Sequence, residues 1–489
     1  MAETLSVAAA QARLQAFATA GGHHVLHAVV AEHEAAVHLV GGAVRDIALG
    51  RTVGDLDFVT STGASTLARR LADRLGASLV TLDAARGIFR VVVGGEHIDI
   101  CDLQAPSLEG DLRARDLTIN AVALDARALG AGNAVVVDPL GGLDDLCGGL
   151  LRCPSAEVLD ADPLRLVRVV RFASVLGFAI APETWREIAP RADLLSHVSP
   201  ERVRDELFTV LGSPRSEEGV SLLTEAGLLR VILPEIGAHA NVTRDGPSSR
   251  AVDARALHAL RAIDAGAVAT ARAMIADDGG ELVDLLVRSC GGERRSVLAL
   301  MRFAILLRHL GGPDARCAPS SPPGHRTSSA AAAERACERL RLSTLEKRLV
   351  ASMLAHRHEP GEMQDAGART PSAARRWFKH AHPAGPEALI LALAESEAET
   401  ADAPSCTASV GDCVAWLLQW RFGGGPARCV PLLDGGRIQS ILSLGRGPHI
   451  GAWLEDLADA QADGVVTSEA EAVAWVRSRA DQAAGHTPS

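Results

Sequence analysis

The stretch HLVGGAVRDIALGRTVGDLDFV, residues 38–59, is the most informative about the fold of the N-terminal part of this chain. Its apolar run at 38–40 predicts a buried strand, and a glycine pair follows before helical spacing resumes. Residues 56–59 predict a second strand. Glycines let the backbone approach a ligand closely, and the N–H groups at a helix start point outward toward anions. The stretch therefore predicts a strand–turn–helix–strand unit that offers backbone donors to a phosphate.

Charged side chains in the same stretch add a specific chemistry. Gly41, Gly42 and Arg45 predict a triphosphate site, since a guanidinium supplements the backbone donors. Asp55 and Asp57 stand two residues apart, so an extended backbone presents both carboxylates on one face, where they suit hard cations such as Mg²⁺. Paired metals suit an in-line displacement at phosphorus. Either motif alone usually marks a turn or a solvated loop, but their order here predicts nucleotidyl transfer.

A second site is predicted at the start of a later helix, where an acid and a proline, Asp162 and Pro163, open the helical pattern. Arg165 follows three residues after Asp162 and shares its helix face. Cytosine and adenine both present an amino donor beside a ring-nitrogen acceptor, which a carboxylate and a guanidinium complement. Uracil and guanine present a carbonyl where the carboxylate needs a donor. This pair therefore predicts selection of C and A.

Seven segments in a fixed order resemble the bacterial tRNA nucleotidyltransferase and poly(A) polymerase family, of the class II CCA-adding type. These segments are GGAVRD (41–46), DLD (55–57), DLRARDLTINAVALD (111–125), DPLGGLDDL (138–146), DPLRLVRVVRFASVLGF (162–178), ERVRDEL (201–207) and GLLRVILPEI (227–236). The resemblance implies an α/β head with a mixed, polymerase-beta-like sheet, followed by all-α neck, body and tail domains. It also implies Mg²⁺-dependent transfer of CMP or AMP from CTP or ATP to the 3′ end of tRNA.

Further site residues follow from the resemblance. Asp99, in the strand-like segment VVVGGEHIDICDL (91–103), lies where the family has its third acidic position. Arg115, Asp116 and Asn120 match the Arg-Asp-x-x-x-Asn motif that the family associates with the ribose of the incoming nucleotide. An aspartate that accepts a hydrogen bond from a 2′-hydroxyl would distinguish ribonucleotides from deoxynucleotides.

The base-selecting helix also matches a family motif, EDxxR, although Ala161 replaces its leading acid. Arg168 and Arg171 continue the spacing after Asp162 and Arg165. We predict that Arg168 joins the base-binding group. For Arg171, pairing with a nearby acid is the stronger interpretation.

One departure from the family concerns the number of nucleotides added. Members that build the whole CCA end usually carry a basic, flexible loop of more than a dozen residues between the third acid and the Arg-Asp motif. Here the connection is only LQAPSLEG (103–110). In the family, a shortened loop resembles enzymes that add only the two cytidines. CC-only addition is therefore a predicted subtype, and short-loop members with other activities stay open as alternatives.

A second departure lies in a region that resembles HD phosphohydrolases. The segments LHALRAID (257–264) and FAILLRHLGGP (303–313) match its first-histidine and His-Asp motifs, but Arg308 and His309 replace the His-Asp pair. A metal-dependent phosphatase is therefore disfavoured. His258 is interpreted as a helix residue rather than a ligand.

Composition and punctuation set the expected organisation. The net charge of −11 argues against indiscriminate nucleic-acid binding, and nine cysteines without paired spacing predict reduced thiols. Neither a membrane span nor a secretory signal is expected, so the predicted location is the cytoplasm. TPSAARR (370–376) is interpreted as a linker. The predicted domains are a helical extension 1–34, a head 35–147, a neck 148–248, a degenerate HD-like domain 249–365 with a flexible insertion 311–334, and a helical tail 366–489.

Two rival functions share these motifs. A poly(A) polymerase would differ only in its primer and in the length of its product. A catalytically silent RNA-binding paralogue is disfavoured by the intact Asp55 and Asp57 pair. The sequence leaves the oligomeric state open.

Overall fold

The structure is a computed structural model that describes residues 5–19, 29–236, 254–275, 280–287, 295–308, 332–367, 369–400, 408–423, 431–445 and 447–484. Contacts divide the chain into two compact units. The first comprises Met1–Glu206 and Glu225–Ile232, and the second comprises Leu207–Thr224 and Leu233–Ser489. The finer, five-part division expected from the sequence stays a prediction.

A seven-stranded mixed sheet forms the centre of the head in the first unit. Its strands are β1 (Val37–Val40), β2 (Leu56–Thr60), β3 (Ser78–Asp83), β4 (Ile88–Val93), β5 (Glu96–Asp102), β6 (Ala123–Asp125) and β7 (Val136–Val137). Their order across the sheet is β3-β4-β5-β2-β1-β6-β7. Strands β2 and β5 run parallel, whereas the other neighbours are antiparallel. The parallel pair lies in the middle of the sheet, where the acidic residues were predicted.

The strand–turn–helix–strand unit predicted from residues 38–59 is present. Strand β1 begins one residue earlier than expected, at Val37, and α2 (Gly42–Leu49) follows directly after Gly41. Gly41 adopts φ +76°, a left-handed conformation in which a residue with a side chain would be strained. The apolar residues of β1 and β2 are buried, which explains why their short hydrophobic runs form central strands.

The strand-like segment at 91–103 contributes to two strands rather than to one continuous strand. The chain forms a hairpin there, in which β4 and β5 pair antiparallel around Gly94 and Gly95. Both glycines have positive φ, +59° and +91°, as a tight two-residue hairpin turn requires. The hairpin matters for the site because it pairs Arg90 with Asp99 in register.

Helices cover this sheet and continue into a helical region. Those of the head are α1 (Val7–Thr19), α2, α3 (Ala64–Leu75), α4 (Leu108–Arg113), α5 (Ala126–Gly130) and α6 (Gly142–Gly148). Those that follow are α7 (Glu157–Ala161), α8 (Leu164–Leu176), α9 (Pro182–Ile188), α10 (Pro200–Gly212), α11 (Ser216–Glu225) and α12 (Leu228–Ile232). Two short strands, β8 (Leu150–Leu151) and β9 (Ala179–Ile180), pair parallel. Short 3₁₀ turns span Thr118–Asn120 and Ala189–His197.

In the rest of the chain, the described elements are helices joined by short turns. Its helices are α13 (Ala254–Ala265), α14 (Ala267–Ala273), α15 (Gly280–Val287), α16 (Val297–Leu307), α17 (332–339), α18 (Thr344–His356), α19 (Glu359–Asp365), α20 (Pro371–His380), α21 (Gly385–Thr400), α22 (Ala408–Phe422), α23 (Gly435–Leu442), α24 (Pro448–Ala462) and α25 (Glu469–Ala484). The predicted fold class, an α/β head followed by helical domains, is confirmed.

The linker predicted at 370–376 is wrong, because helix α20 begins there. Thr370 caps that helix, its hydroxyl accepting from the backbone N–H of Ala373, and Pro371 occupies the first turn. The predicted insertion at 311–334 lies outside the described residues except for its last three, which belong to α17. Burial raises the pKa of the Cys101 thiol to about 11, in keeping with the predicted reduced thiols.

Candidate active site

The glycine turn lies directly against two predicted site residues. A Cβ built at Gly41 would stand 3.0 Å from an Arg115 guanidinium nitrogen and 3.4 Å from Asp57 Oδ2. The structure therefore brings Gly41, Asp57 and Arg115 together, although Arg115 follows them by many residues in the sequence. Gly42 opens helix α2 and faces the Arg45 guanidinium. At Gly41, both the backbone angle and the available space exclude a side chain.

The predicted acids converge on the parallel strands. Asp57 on β2 is in register with Asp99 on β5, and Asp55 lies exposed just before β2. Burial raises the pKa of Asp57 above its usual range, and the neighbouring charges of Asp99 and Asp55 raise it further. Among the described residues, these three carboxylates do not form a group with all ligand atoms within 4.8 Å of one another. The cluster is an open arrangement with excess negative charge around Asp57.

Arg90 is a member of this cluster that the sequence reasoning missed. Its guanidinium makes a two-pronged ion pair with Asp99, with both nitrogen–oxygen distances at 2.7 Å. The available signal was the Gly94-Gly95 turn, from which the hairpin register follows. Because Arg90 neutralises much of the Asp99 charge, Asp55 and Asp57 hold the less compensated carboxylates. These two hard oxygen ligands fit Mg²⁺, and a divalent cation would relieve the charge excess.

The predicted triphosphate ligand Arg45 is engaged by the protein. It donates to Asp46 through two nitrogens, at 3.0 and 2.8 Å, and to Asn120 Oδ1 at 2.7 Å. Asn120 in turn donates to Asp116 Oδ1 at 2.9 Å. Arg45 therefore lies beside the glycine turn but fixes the amide orientation of Asn120. Nothing in the spacing of these two separate motifs indicates this connection.

Asp116 is buried and its acceptor positions are filled. One oxygen accepts from the Leu117 N–H and from Asn120, and the other accepts two bonds from Arg168, at 2.9 and 2.7 Å. Burial by itself would raise the pKa of Asp116, but Arg168 and Asn120 together lower it below its ordinary value. A ribose hydroxyl could reach this carboxylate only if one donor moved. The predicted ribose contact stays a prediction.

Arg168 connects Asp116 to a further acid. It also donates to Glu206 Oε1 at 3.3 Å, while Arg171 forms an ion pair with Glu206 Oε2 at 2.6 Å. Three guanidinium carbons surround the buried ring of Phe172. They belong to Arg45, Arg168 and Arg171, at 5.1, 5.7 and 4.0 Å from its centroid. The predicted pairing of Arg171 with a nearby acid agrees with this arrangement.

A cavity of about 230 Å³ contains the predicted base-selecting pair. It is lined by Arg115, Asp116, Asp162, Arg165, Arg168 and Arg202. Four guanidiniums against two carboxylates give the lining a net charge of +2, which suits an anionic ligand. The predicted N-cap role of Asp162 is wrong by one residue, because helix α8 begins at Leu164 and Pro163 is its N-cap. Asp162 Oδ1 nevertheless accepts from the Leu164 N–H at 3.3 Å.

Both members of the pair have protein partners in this cavity. Asp162 Oδ2 accepts from Arg202 at 2.8 Å, and Arg165 donates to the Val158 carbonyl at 3.0 Å. Arg202 lies in the segment ERVRDEL, which carried the resemblance, but the sequence singled out no residue of that segment. The cavity thus holds one cation that was not predicted, Arg202, which is ion-paired with Asp162.

The HD-like region contains no His-Asp pair where the structure describes it. Arg308 is buried and stands 3.9 Å from Glu395, which Arg357 approaches to 3.3 Å. His309 lies outside the described residues, and His258 is half-buried on α13. Arginines thus compensate the acid at this place in the fold.

In the described part of the chain, none of the helices is long and apolar enough to cross a membrane.

Known families and proteins resemble this chain over its head and over most of its length. A family model described as the poly A polymerase head domain matches residues 37–152. Another, described as a probable RNA and SrmB-binding site of polymerase A, matches residues 177–239. A solved structure described as a CCA-adding enzyme in complex with CTP matches 96% of this chain and 98% of its own, with a TM-score of 0.66 and 18% identity. At that identity the likeness concerns the fold.

Two curated relatives match nearly the whole chain. The A-adding tRNA nucleotidyltransferase of Deinococcus radiodurans is 35% identical over 91% of this chain and 96% of its own length. The CC-adding tRNA nucleotidyltransferase of Geobacter sulfurreducens is 34% identical over 88% of this chain and 89% of its own. The resemblance found in the sequence motifs is thereby confirmed: this chain belongs to the tRNA nucleotidyltransferase and poly(A) polymerase family, and it is a nucleotidyltransferase.

Proposed function

We propose that this protein adds CMP or AMP, without a nucleic-acid template, to the 3′ end of tRNA. The observation that carries the proposal is the cavity in which Asp162 and Arg165 lie together beside further arginines. A carboxylate and a guanidinium in one cavity match the hydrogen-bonding edge shared by cytosine and adenine. The positive lining suits the phosphates of the nucleotide.

The residues of the glycine turn and the Arg-Asp motif would hold the rest of the nucleotide. Gly41 and Gly42 expose backbone to the triphosphate, and Arg115 adds positive charge beside Gly41. Arg45 acts next to this group by fixing Asn120. Asp116 holds Arg168 toward the base and Asn120 toward the ribose.

Asp55 and Asp57 are proposed to hold Mg²⁺, with Asp99 assisting them. When bound, the metal activates the 3′-hydroxyl and neutralises the leaving pyrophosphate. The raised pKa of Asp57 supports this assignment, since burial and then the neighbouring charges of Asp99 and Asp55 disfavour its ionised form, and a bound cation would offset both effects. Because Asp99 is already ion-paired with Arg90, we give Asp99 only a supporting role in metal binding.

We further propose that the enzyme adds only part of the CCA sequence. The connection from β5 to α4 is short, and Gln104 at its start is fixed by hydrogen bonds. Its backbone N–H donates to Asp111 at 3.0 Å, and its side chain donates to the carbonyls of Arg86 and Asp102, at 3.0 and 2.7 Å. Such a connection lacks the length of a flexible loop. CC-only addition is the version we favour because of the short connection, although the A-adding relative is slightly more similar to this chain than the CC-adding one, at 35% against 34% identity, and supports A-only addition.

Single-nucleotide extension tests both proposals. Three tRNAs, ending before the CCA, after the first C and after CC, are each incubated with one NTP and Mg²⁺. Two cytidines added to the first substrate, and nothing added to the third, would establish CC-only activity. AMP added only to the third substrate would establish A-only activity.

The remaining outcomes would contradict one or both proposals. A completed CCA end would refute partial addition while retaining tRNA extension. Long adenylate tails on arbitrary RNA would identify a poly(A) polymerase. Binding of tRNA without extension of any substrate would indicate a silent paralogue. The cytoplasm is the location we propose, where tRNA ends are processed.

A further inference from the structure

Two histidines and a glutamate in the second unit come together far from the nucleotidyl-transfer residues in the sequence. His356 ends helix α18, Glu359 begins α19, and His380 ends α20. Their potential ligand atoms all lie within 4.8 Å of one another. Among the described residues, no other three His, Cys, Asp or Glu side chains come together in this way.

His356 lies close to Glu359. Its Nδ1 is buried and lies 3.0 Å from Glu359 Oε1, yet it makes no hydrogen bond with any described residue. The side chain is 10% exposed, so water has little access to satisfy that nitrogen. Two potential ligand atoms that approach closely without hydrogen-bond geometry can both coordinate one cation. A buried nitrogen left without a partner otherwise destabilises the fold.

The backbone around the cluster is held in place. One turn before His356, the buried Ser352 hydroxyl donates to the carbonyl of Ala381 at 2.7 Å. Ala381 directly follows His380, so this bond fixes the end of α20 against α18. The two imidazole rings meet edge to face, with centroids 4.7 Å apart. Because His380 is exposed, its ring can turn to complete a site without disturbing the core.

We propose that His356, Glu359 and His380 bind one divalent transition-metal ion of the zinc type. Two imidazoles and one carboxylate are a ligand set suited to zinc, which also leaves a fourth position for water. Nitrogen ligands favour zinc over Mg²⁺, so this site would remain distinct from the acidic pair in the head. The ion would fasten α18 and α19 to α20 and thereby stabilise this part of the second unit.

The test is titration of the full chain with Co²⁺, a coloured substitute for zinc, in the presence of excess Mg²⁺ to occupy the head. We expect one tight equivalent with visible absorption, displaced by Zn²⁺, and a zinc-dependent rise in melting temperature. His380→Ala should weaken Co²⁺ binding by at least about tenfold, since one of three protein ligands is lost. His382→Ala removes an equally exposed histidine two residues away and should leave binding unchanged.

Several results would overturn the site. They are an absence of saturable Co²⁺ binding, equal affinity in the wild type and His380→Ala, or loss of binding in His382→Ala. Glu359→Gln provides a second variant that preserves side-chain shape and should also weaken binding. Neither His380 nor Glu359 belongs to the proposed nucleotidyl-transfer site. Extension of tRNA by His380→Ala should therefore match the wild type when Mg²⁺ alone is supplied.

Discussion

Two carboxylates of the head, the half-buried Asp57 and the buried Asp116, behave in opposite ways. Burial is the largest influence on both and raises the pKa of each. At Asp57 the nearest charges include two further acids, and the pKa ends above its ordinary value. At Asp116 the protein supplies Arg168 and Asn120, and the pKa ends below it. Neighbouring acids thus add to the effect of burial at Asp57, whereas Asp116 has a positive partner within the chain. This contrast supports our proposal that Asp57 binds a metal.

The largest effect is expected for Asp57→Asn, which removes the carboxylate that we propose binds a metal. We expect nucleotide transfer to fall by about a thousandfold or more, because a metal ligand is lost while the polar shape is kept. The melting temperature should stay near that of the wild type, since no internal ion pair is removed. Steady-state extension of tRNA and thermal unfolding measure the two effects.

Two companion variants control this experiment. Asp55→Ala, at an exposed position, should also abolish transfer without unfolding the chain. Asp73→Asn changes an exposed acid on helix α3 and should leave the rate unaltered. Transfer at the wild-type rate in Asp55→Ala or Asp57→Asn would defeat the metal assignment.

Asp116→Asn should have a smaller effect on transfer and a larger one on stability. The substitution leaves Arg168 without its anionic partner on that side, at a cost of about 2 kcal/mol in the free energy of unfolding. Transfer should fall about a hundredfold, because Arg168 loses the contact that orients it. Denaturant unfolding and kinetics report the two changes. An unchanged free energy of unfolding would show that the pairing with Asp116 contributes nothing to the fold.

The same contrast predicts a pH dependence of stability. Because the folded chain lowers the pKa of Asp116, its ion pair stabilises the fold above the unfolded-state pKa of about 3.9. That contribution is lost as the pH falls through the folded-state pKa. The free energy of unfolding of Asp116→Asn should be below that of the wild type at neutral pH. This difference should become smaller under acidic conditions. A deficit that stayed constant from neutral to acidic pH would contradict the assignment.

Arg165→Ala tests the base-selecting cavity. Removing one guanidinium should reduce discrimination of C and A against U and G by about ten- to a hundredfold, equivalent to roughly 1–3 kcal/mol per base contact. Competition between NTPs for one tRNA measures this ratio. Arg186→Ala, on helix α9, serves as a control, because Arg186 does not line the cavity. Unchanged selectivity in Arg165→Ala would remove this residue from base recognition.

Arg90→Ala should produce the smallest change. Arg90 lowers the pKa of Asp57, although other groups outweigh it. Its removal raises the pKa of Asp57 further. On acidification, activity should therefore be lost at a higher pH than in the wild type. A pH–rate profile at fixed Mg²⁺ detects the shift. A profile that moved toward lower pH would have the wrong sign.

Local patterns predicted much of this architecture. The β1 strand, the glycine turn and α2 follow from apolar runs and glycine conformations within one short stretch. Long-range pairings were beyond the sequence: Arg168 and Asp116 are 52 residues apart, and nothing in their spacing indicates contact. The hairpin and the start of α20 were missed for another reason. Their turn and capping residues were present but were interpreted as strand and linker.

Arg45, Asn120, Asp116, Arg168 and Glu206 form a continuous chain of polar contacts. Each member has its orientation set by the next, so their substitutions should show strong epistasis. Once one member is lost, removing its neighbour should cost far less than it does alone. In evolutionary terms, such a chain changes by coordinated replacements rather than one residue at a time. The same coupling would make this group a poor starting point for stepwise engineering of nucleotide preference.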